Sequence, residues 1–386
     1  MLNKIAETAF IVSIIAVTAS TQSLNIPGWE LIWSDEFDGT SLDMTKWTHD
    51  IGYHIDNNPN IWGWGNEELQ HYTNSIENVF VEDGKLNLKA FRDRRNFPAI
   101  DPNRYAQYAS GKVITKDKFK FTYGRIDISA KLPRGSGFWP ALWMLPNDDV
   151  YGGWAASGEI DIMEAKGRLT GESSGAIHFG GQWPDNAFVH GEYRFPAGQR
   201  IDTDFHQYGV EWSEDTIKWF VNGNNFFTAA SRQWRSSGAP SGNNRAPFDQ
   251  DFYIIMNLAV GGHFDNYREP AEADLPGIMQ IDYVRVYKKS GTTGINGDAL
   301  SRAASSPKSA AFSGIVNGQI NLRLNAGRCT AELHDLKGRL INKINIDAAD
   351  GVNPTGLRTE GLSKGVYFIS VKQNGAAILG HRMVIK

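Results

Sequence analysis

The chain has 386 residues, which is enough for one large domain together with a smaller one. A formal net charge of −4 and a pI near 6.2 exclude the strongly basic balance of a nucleic-acid-binding protein, so we expect a neutral substrate and no nucleic-acid partner. The 40 glycines and 12 tryptophans favour an all-β protein with many turns and an aromatic-lined groove. The single cysteine, Cys329, excludes an internal disulfide, which in an exported protein indicates a bacterial source.

The N-terminal segment has the pattern of an export signal. Lys4 supplies a positive charge, Ala9 to Val17 form a short apolar core, and Val17–Ala19 offers small residues for cleavage. We therefore predict a signal peptide over residues 1–23. Its apolar run is shorter than the ~20 residues that span a bilayer, and no other segment reaches that length, so no membrane span is expected in the mature protein.

Residues 27–289 predict short strands and turns, with no convincing amphipathic helix. Alternating apolar and polar residues predict half-buried strands in four segments: Leu86–Phe91, Gly124–Lys131, Thr216–Val221 and Gln280–Tyr287. The nearly continuous apolar run Phe252–Val260 predicts a strand between two layers, and Asn222-Gly223 predicts a hairpin turn. Together they predict a β-sandwich of the jelly-roll type, with one sheet curved into a concave groove for a polymer.

Three acidic residues lie in the otherwise apolar run Ser157–Ala165, where buried carboxylates are costly unless they are paired or functional. Glu159 and Asp161 share one face of a strand, and one β-bulge, most simply at Met163, would bring Glu164 to that face. Two carboxylates about a small gap are typical of a glycosidase, which retains configuration at about 5–5.5 Å separation and inverts it at about 6.5–9.5 Å. The alternative is a solvated edge strand whose acids have no role; the Gly-rich and Trp-rich flanks disfavour it.

The composition changes after Tyr287. Residues 290–313 are rich in Gly, Ser, Thr and Ala and predict a flexible linker. From residue 314 to 386 a second unit is expected, a small β-sandwich with strands around Gln319–Leu324, Thr330–Leu333 and Val366–Val371.

The segment Gly158–Glu164 resembles the catalytic motif of glycoside hydrolase family 16, in the bulged form of laminarinases (β-1,3-glucanases). Four further segments resemble that branch in the family's order: Trp64–Thr73, Gly137–Leu145, Ile177–Pro184 and Ile281–Tyr287. The resemblance implies a catalytic domain over 24–289, monomeric, with no cofactor for catalysis. It also implies retaining endo-hydrolysis of β-1,3-glucan (laminarin), and of mixed-linkage β-1,3-1,4-glucan as a further substrate.

The resemblance also implies the roles of the acids. Glu159 matches the nucleophile, and Glu164 matches the general acid and base, whose pKa must rise for that work. Asp161 lies between them and would orient the nucleophile. His178 matches a histidine near the acid and base; the alternative is a histidine satisfied by local hydrogen bonds.

Sugar-binding residues are implied on both sides of the motif. Trp139 and Trp143 would line the groove near the cleavage point, the alternative being core tryptophans; Trp154 has a weaker claim. Asn66 and Glu68 would bind the glycone side, the alternative being a polar loop. Lys112 stands where laminarinases commonly carry an arginine, and because lysine lacks the planar fork, glycone affinity is in doubt.

A metal is implied only by the resemblance. Asp35, Glu36, Asp38 and Asp43 do not have the spacing of an EF-hand loop. Family members often hold a structural Ca²⁺ on the convex side, and the matching oxygen ligands here are Glu36, the Gly84 carbonyl and Asp282. The alternative is a solvated acidic surface.

The C-terminal segments Leu333–Leu340, Leu362–Val371 and Arg382–Lys386 resemble the sorting domains of type IX secretion. That implies the type IX machinery as a partner, and a protein secreted by, or held on the surface of, a Gram-negative bacterium. A carbohydrate-binding module is the alternative, disfavoured by its few aromatic residues.

Two other activities stay open: a galactan hydrolase of the agarase kind, and a β-glucan-binding protein without catalysis. The segments around Asn66 and His178 favour glucan over galactan. The presence of both Glu159 and Glu164 favours an enzyme over a binding protein.

Overall fold

The computed structural model describes residues 26–290 and, further on, 311–316, 319–324, 327–335, 340–349, 351–358, 362–363, 365–373 and 376–385. Its contacts divide the chain into two compact units, Met1–Thr293 and Gly294–Lys386. The predicted signal peptide lies outside the described residues, and so does the predicted linker apart from Ser290 and residues 311–313, which begin a strand. Among the described residues, none of the helices has the length and apolarity needed to cross a membrane.

The described part of the first unit consists of strands joined by turns and single 3-10 turns. The strands are β1 (Trp29–Asp35), β2 (Thr48–His49), β3 (Gln70–Tyr72), β4 (Val79–Glu82), β5 (Lys85–Phe97), β6 (Asp101–Ser110), β7 (Lys112–Ile114), β8 (Gly124–Lys131), β9 (Phe138–Pro146), β10 (Glu159–Glu164), β11 (Glu172–Gly180), β12 (Asn186–Arg194), β13 (His206–Trp212), β14 (Thr216–Val221), β15 (Asn224–Ala230), β16 (Phe252–Val260) and β17 (Gly277–Lys289). The 3-10 turns are Ile55–Asn57, Gly63–Gly65, Ser231–Gln233, His263–Asp265 and Glu272–Asp274.

These strands form two sheets. One has the order β15-β14-β13-β8-β17-β5-β6-β3, with β1 also paired to β17 and β4 to β5. The other has the order β12-β11-β10-β9-β16-β7-β2 and carries the three acids on β10. The two sheets enclose one apolar core, which confirms the predicted all-β sandwich.

The core explains why the predicted strands form. In β8 the alternating Ile126, Ile128 and Ala130 are fully buried, and every residue of β16 is buried, as its continuous apolar run predicts. The predicted bounds of β8, β14 and β16 match the structure to the residue. Asn222 and Gly223 both have positive φ and close the β14–β15 hairpin, as their sequence predicts.

The described part of the second unit is also all-β. Its strands are β18 (Ala311–Val316), β19 (Gln319–Leu324), β20 (Gly327–Asp335), β21 (Leu340–Ala348), β22 (Gly351–Arg358), β23 (Gly365–Gln373) and β24 (Ala376–Ile385). They pair in the orders β18-β19-β22 and β21-β20-β23-β24. Ile320, Leu333 and Ile369 are buried in the core of this unit, which confirms the predicted small β-sandwich.

Candidate active site

A β-bulge in β10 places the three acids on one face. On the neighbouring strand β11, Glu159 pairs with His178, Asp161 with Ala176, and Glu164 with Ser174. These three partners alternate along β11, so they point to the same side of the sheet, and the three acids do too. The register shifts after Asp161 on both neighbouring strands, and the consecutive residues Ile162 and Met163 both point into the core. The extra residue therefore lies in Ile162–Met163, where the spacing of the acids requires it.

The bulge interrupts the backbone ladder, and a side chain of the opposite sheet supplies a partner for the carbonyl at its start. The indole of Trp219, fully buried on β14, donates to the Asp161 carbonyl oxygen at 2.8 Å. A buried carbonyl without a partner is costly, so this bond stabilises the bulged backbone. Gly175 on β11 makes room for it, because a Cβ there would lie 2.3 Å from the Trp219 ring.

Each of the two outer acids accepts a hydrogen bond from one tryptophan. Trp154 Nε1 donates to Glu159 Oε2 at 2.8 Å, and Trp139 Nε1 donates to Glu164 Oε1 at 2.8 Å. An N–H donor favours the charged form of a carboxylate and fixes its orientation. The sequence gives Trp154 a weaker indication of a role in the site than Trp139, but the two indoles lie at the same distance from their carboxylates.

His178 lies beside the first two acids. Its Nε2 is 3.6 Å from Glu159 Oε1 and 3.4 Å from Asp161 Oδ2. Burial lowers the pKa of His178, but the Asp161 hydrogen bond and the charges of Glu159, Asp161 and Glu164 outweigh it and raise that pKa to about 10. The neighbouring carboxylates therefore favour the protonated ring, whose charge would offset part of their own.

The ligand atoms of Glu159, Asp161 and His178 lie within 4.8 Å of one another, which is close enough to hold a metal ion. The same carboxylates favour a proton on His178, and a metal bound through that ring would have to displace it. Glycosidase chemistry with two carboxylates requires no metal. The cluster is therefore better described as a proton-sharing group.

The pKa values of Glu159 and Glu164 are both raised. Burial is the largest cause for each, and the charge of Asp161 is the second. Because neighbouring carboxylates in one buried site cannot all ionise, the cluster keeps protons at neutral pH and titrates as a group. An ionised carboxylate beside a protonated carboxyl is the pair that a nucleophile and a general acid require.

Asn66 and Glu68 lie together in a hydrogen-bonded group. Asn66 Nδ2 donates to Glu68 Oε1 at 2.9 Å, and Gln70 Nε2 donates to Glu68 Oε2 at 2.5 Å. Glu68 is buried, and burial raises its pKa. Both oxygens of Glu68 are thus engaged, and its clearest contribution is to orient Asn66.

A chain of polar side chains joins Glu68 to Trp143. Trp143 Nε1 donates to Asn257 Oδ1 at 2.7 Å, and Asn257 Nδ2 donates to the Tyr72 hydroxyl oxygen at 2.9 Å. The Tyr72 hydroxyl donates to Glu68 Oε2 at 3.5 Å. Sequence reasoning missed Asn257 and Tyr72, although a lone asparagine inside the apolar run of β16 was a usable signal.

Lys112 lies next to this chain and is buried. Its Nζ is 2.9 Å from Asp50 Oδ2 and lies 4.0 Å from the ring centroid of Trp64 and 5.4 Å from that of Trp143. The structure thus places the lysine between the loop carrying Asp50 and the two tryptophans. A cation over aromatic faces holds those rings in place.

Trp139 is supported by a loop. Its ring stacks on Phe264, with centroids 4.6 Å apart and planes at 18°. The neighbouring Asp265 is fully buried and accepts hydrogen bonds from Arg168 Nε at 2.7 Å and from the Gly137 amide at 3.2 Å. The buried carboxylate therefore fixes the loop on which the Trp139 indole rests.

The three residues implied as calcium ligands fit such an ion in part. Their oxygens are the hard donors that Ca²⁺ prefers, and burial raises the pKa of Asp282. Both carboxylate oxygens of Glu36, however, accept hydrogen bonds from Arg285, at 2.9 and 2.7 Å. A cation bound by Glu36 would have to replace that guanidinium. Gly84 lies in the turn between β4 and β5.

Comparison with known proteins gives matches over both units. The family described as Glycosyl hydrolases family 16 matches residues 66–285, and the Secretion system C-terminal sorting domain matches residues 316–386. The sorting domain places the chain among exported proteins, secreted or held at the cell surface.

The similar proteins include two curated relatives and one solved structure. Glucan endo-1,3-beta-glucosidase A1 of Niallia circulans is 61% identical over 264 residues, 68% of this chain but only 38% of that protein. Beta-glucanase of Rhodothermus marinus is 37% identical, covering 73% of this chain and 94% of the relative. The laminarinase catalytic domain of Thermotoga maritima has a TM-score of 0.58 at 38% identity, covering 67% of this chain and 98% of that one. The chain belongs to glycosyl hydrolase family 16.

Proposed function

We propose that this protein is an exported endo-β-glucanase that hydrolyses β-1,3-glucan with retention of configuration. The single observation that carries the proposal is the bulged β10, which presents Glu159, Asp161 and Glu164 on one face with one indole donor on each glutamate. The names of the relatives, glucan endo-1,3-beta-glucosidase and beta-glucanase, support the same substrate class.

In the first step Glu159 attacks the anomeric carbon as a carboxylate and forms a glycosyl ester. The glycosidic C–O bond breaks, and Glu164 gives its proton to the departing oxygen, so the leaving sugar departs as an alcohol. His178 Nε2 lies 3.6 Å from Glu159 Oε1 and 3.4 Å from Asp161 Oδ2, and we propose that His178 and Asp161 hold the orientation of Glu159. Burial keeps Glu164 protonated until this step.

In the second step Glu164, now a carboxylate, takes a proton from water. The resulting hydroxide attacks the anomeric carbon, the ester bond to Glu159 breaks, and both glutamates return to their starting states. Two inversions at one carbon give net retention.

The choice of glucan rests on the glycone side. Asn66, held by Glu68, and Lys112 beside Trp64 offer donors to the sugar hydroxyls, while Trp143 offers an apolar face. The loops Asp50–Pro59 and Ser231–Pro247 are the segments that we expect to set groove width, and with it the balance between laminarin and mixed-linkage glucan and between endo and exo action.

Product analysis tests the proposal. The chain without residues 1–23 would be incubated with laminarin, mixed-linkage β-glucan, curdlan and agarose, and the first-formed anomer followed by proton NMR. Early release of short β-1,3 oligosaccharides as the β-anomer is expected, with loss of turnover in Glu159→Gln. Cleavage of agarose alone would indicate a galactan hydrolase, and binding of laminarin without cleavage would indicate a binding protein.

We also propose residues 24–289 as the catalytic domain, acting as a monomer, and residues 314–386 as the sorting domain that engages the type IX machinery. The match to a sorting domain over residues 316–386 supports the latter. Deleting residues 314–386 should leave hydrolysis of laminarin intact in the cell lysate but abolish activity outside the cell. Light scattering of the exported protein should give the mass of one chain.

For a structural Ca²⁺ we propose Asp282 and the Gly84 carbonyl as ligands, joined by Glu36 if Arg285 releases it. The ion would stabilise the turn between β4 and β5 against β17 and take no part in the chemistry. A rise in melting temperature with Ca²⁺ that is lost in Asp282→Asn would support the site. An identical melting temperature in Ca²⁺ and in chelator would exclude it.

A further inference from the structure

A row of rings leads from the nucleophile to the edge of the sheet. Trp154, which donates to Glu159, lies with its ring centroid 5.6 Å from that of His178. His178 stacks on Phe188 at 5.5 Å with planes at 25°, and Phe188 meets His190 edge-on at 5.7 Å. The chemistry already described uses the first two rings and leaves Phe188 without a role.

Phe188 is not a core residue. It lies on β12, the strand at one edge of its sheet, directly opposite His178 of β11, and 57% of its surface is exposed. Its neighbours Ala187 and Val189 point the other way and pack on the core. A single exposed apolar residue is ordinary, but Phe188 continues the row of rings that starts at the acids and so extends the apolar surface of the candidate site.

The strand order indicates which part of the substrate would contact Phe188. Asn257 and Lys112, on the proposed glycone side, lie on β16 and β7, on one side of β10. β11 and β12 lie on the other side of β10, which is therefore the side of the leaving sugar. Neighbouring strands are about 4.8 Å apart, so β12 lies about 10 Å from the acids, beyond the scissile bond.

We propose that Phe188 is a stacking platform for the leaving-side sugars of a β-1,3-linked glucan, with the exposed face of Trp154 next to the bond that is cut. The proposal rests on the proposed function and extends it to the aglycone side. Glucose rings present apolar C–H faces, and a flat exposed ring two strands from the acids offers a matching surface. The His178 ring stacked on Phe188 and the His190 ring at its edge hold the platform in place.

The test compares substrates that differ in their leaving groups. Laminarin and laminarihexaose are long enough to reach β12 under the proposal. The nitrophenyl glycoside of a short β-1,3-gluco-oligosaccharide has a leaving group of only one ring. In Phe188→Ala we expect kcat/KM on laminarin to fall about 3- to 10-fold, because the variant loses the free energy of one aromatic contact. The nitrophenyl glycoside should be cut at the wild-type rate. Phe188→Trp should restore the rate on laminarin. Ile32→Ala, an exposed apolar strand residue on the other sheet, is the matched control.

Equal losses on both substrates would overturn the platform, because they would indicate damage to the cluster through His178. No loss on either substrate would overturn it as well. Binding of laminarihexaose to Glu159→Gln, with and without Phe188→Ala, separates this result from the proposed function. If the wild type cuts no glucan, the proposed function fails; the platform then stands only if Phe188→Ala weakens that binding, and falls if affinity is unchanged.

Discussion

Replacing Trp139 with phenylalanine tests how the acid is tuned. The change removes the N–H that donates to Glu164 at 2.8 Å but keeps a ring to stack on Phe264. That hydrogen bond stabilises the carboxylate form and so lowers the pKa of Glu164, against the larger effect of burial. A hydrogen bond to a charged group contributes about 1.5–3 kcal/mol, and one pKa unit is about 1.4 kcal/mol, so its loss should raise that pKa by about 1–2 units.

The assay is the pH dependence of kcat/KM on laminarin over roughly pH 4 to 10. The alkaline limb, where the general acid loses its proton, should move upward by about one unit, since the cluster shares the shift among its members. Trp143→Phe is the matched control on the same strand and face, because its indole donates to Asn257 at 2.7 Å and not to an acid. That variant should lose affinity for glucan without moving the limb.

The reasoning is refuted if the alkaline limb of Trp139→Phe moves no further than that of Trp143→Phe. Trp139 would then act through contact with the sugar alone, and the acidity of Glu164 would be set by burial and by Asp161. A downward shift would be a stronger contradiction, because it would mean that the indole favours the protonated form.

Three further predictions concern stability and affinity. Because the pKa of Glu164 is raised in the folded state, its contribution to stability is full below its unfolded pKa of about 4.3 and is lost as pH rises through the folded value. Glu164→Gln should therefore melt about 2–8 °C above wild type at neutral pH and at the wild-type temperature near pH 4, and equal melting at both would contradict this. Asp265→Ala leaves Arg168 and the Gly137 amide without their acceptor and should cost about 2–3 kcal/mol in urea unfolding, after discounting the partly exposed Arg168; a loss below about 1 kcal/mol would show that the loop relaxes. Lys112→Met should raise KM for laminarin about tenfold with little change in kcat, whereas Lys112→Arg should keep KM low. An unchanged KM in Lys112→Met would show that Lys112 does not bind the substrate.

Local patterns account for what the sequence predicted well. Alternation and a continuous apolar run are properties of adjacent residues, and the bounds of β8, β14 and β16 follow from them without knowledge of the partners. The bulge was predictable for the same reason, since the five-residue spacing of Glu159 and Glu164 is incompatible with a regular strand that uses both.

Contacts between residues far apart in the chain account for the features that the sequence could not predict. The bond from Asn257 to Tyr72 joins residues 185 apart, and the Glu36–Arg285 pair joins residues 249 apart. No local signal selects such partners, because sheet order and register decide which side chains meet. The resemblance therefore indicated Glu36 as a metal ligand without showing that a guanidinium holds both its oxygens.

The bond from Trp219 to the Asp161 carbonyl has a consequence for how such a protein can change. The backbone that aims the acids is fixed from inside the sandwich, whereas Asp50–Pro59 and Ser231–Pro247 connect strands and are the segments that we expect to set groove width. Substrate range and reaction chemistry are thereby placed in separate parts of the fold. Exchanging those loops should alter which polysaccharide is accepted while the reaction persists. Transplanting β10 into another sandwich should fail unless an equivalent of Trp219 is moved with it.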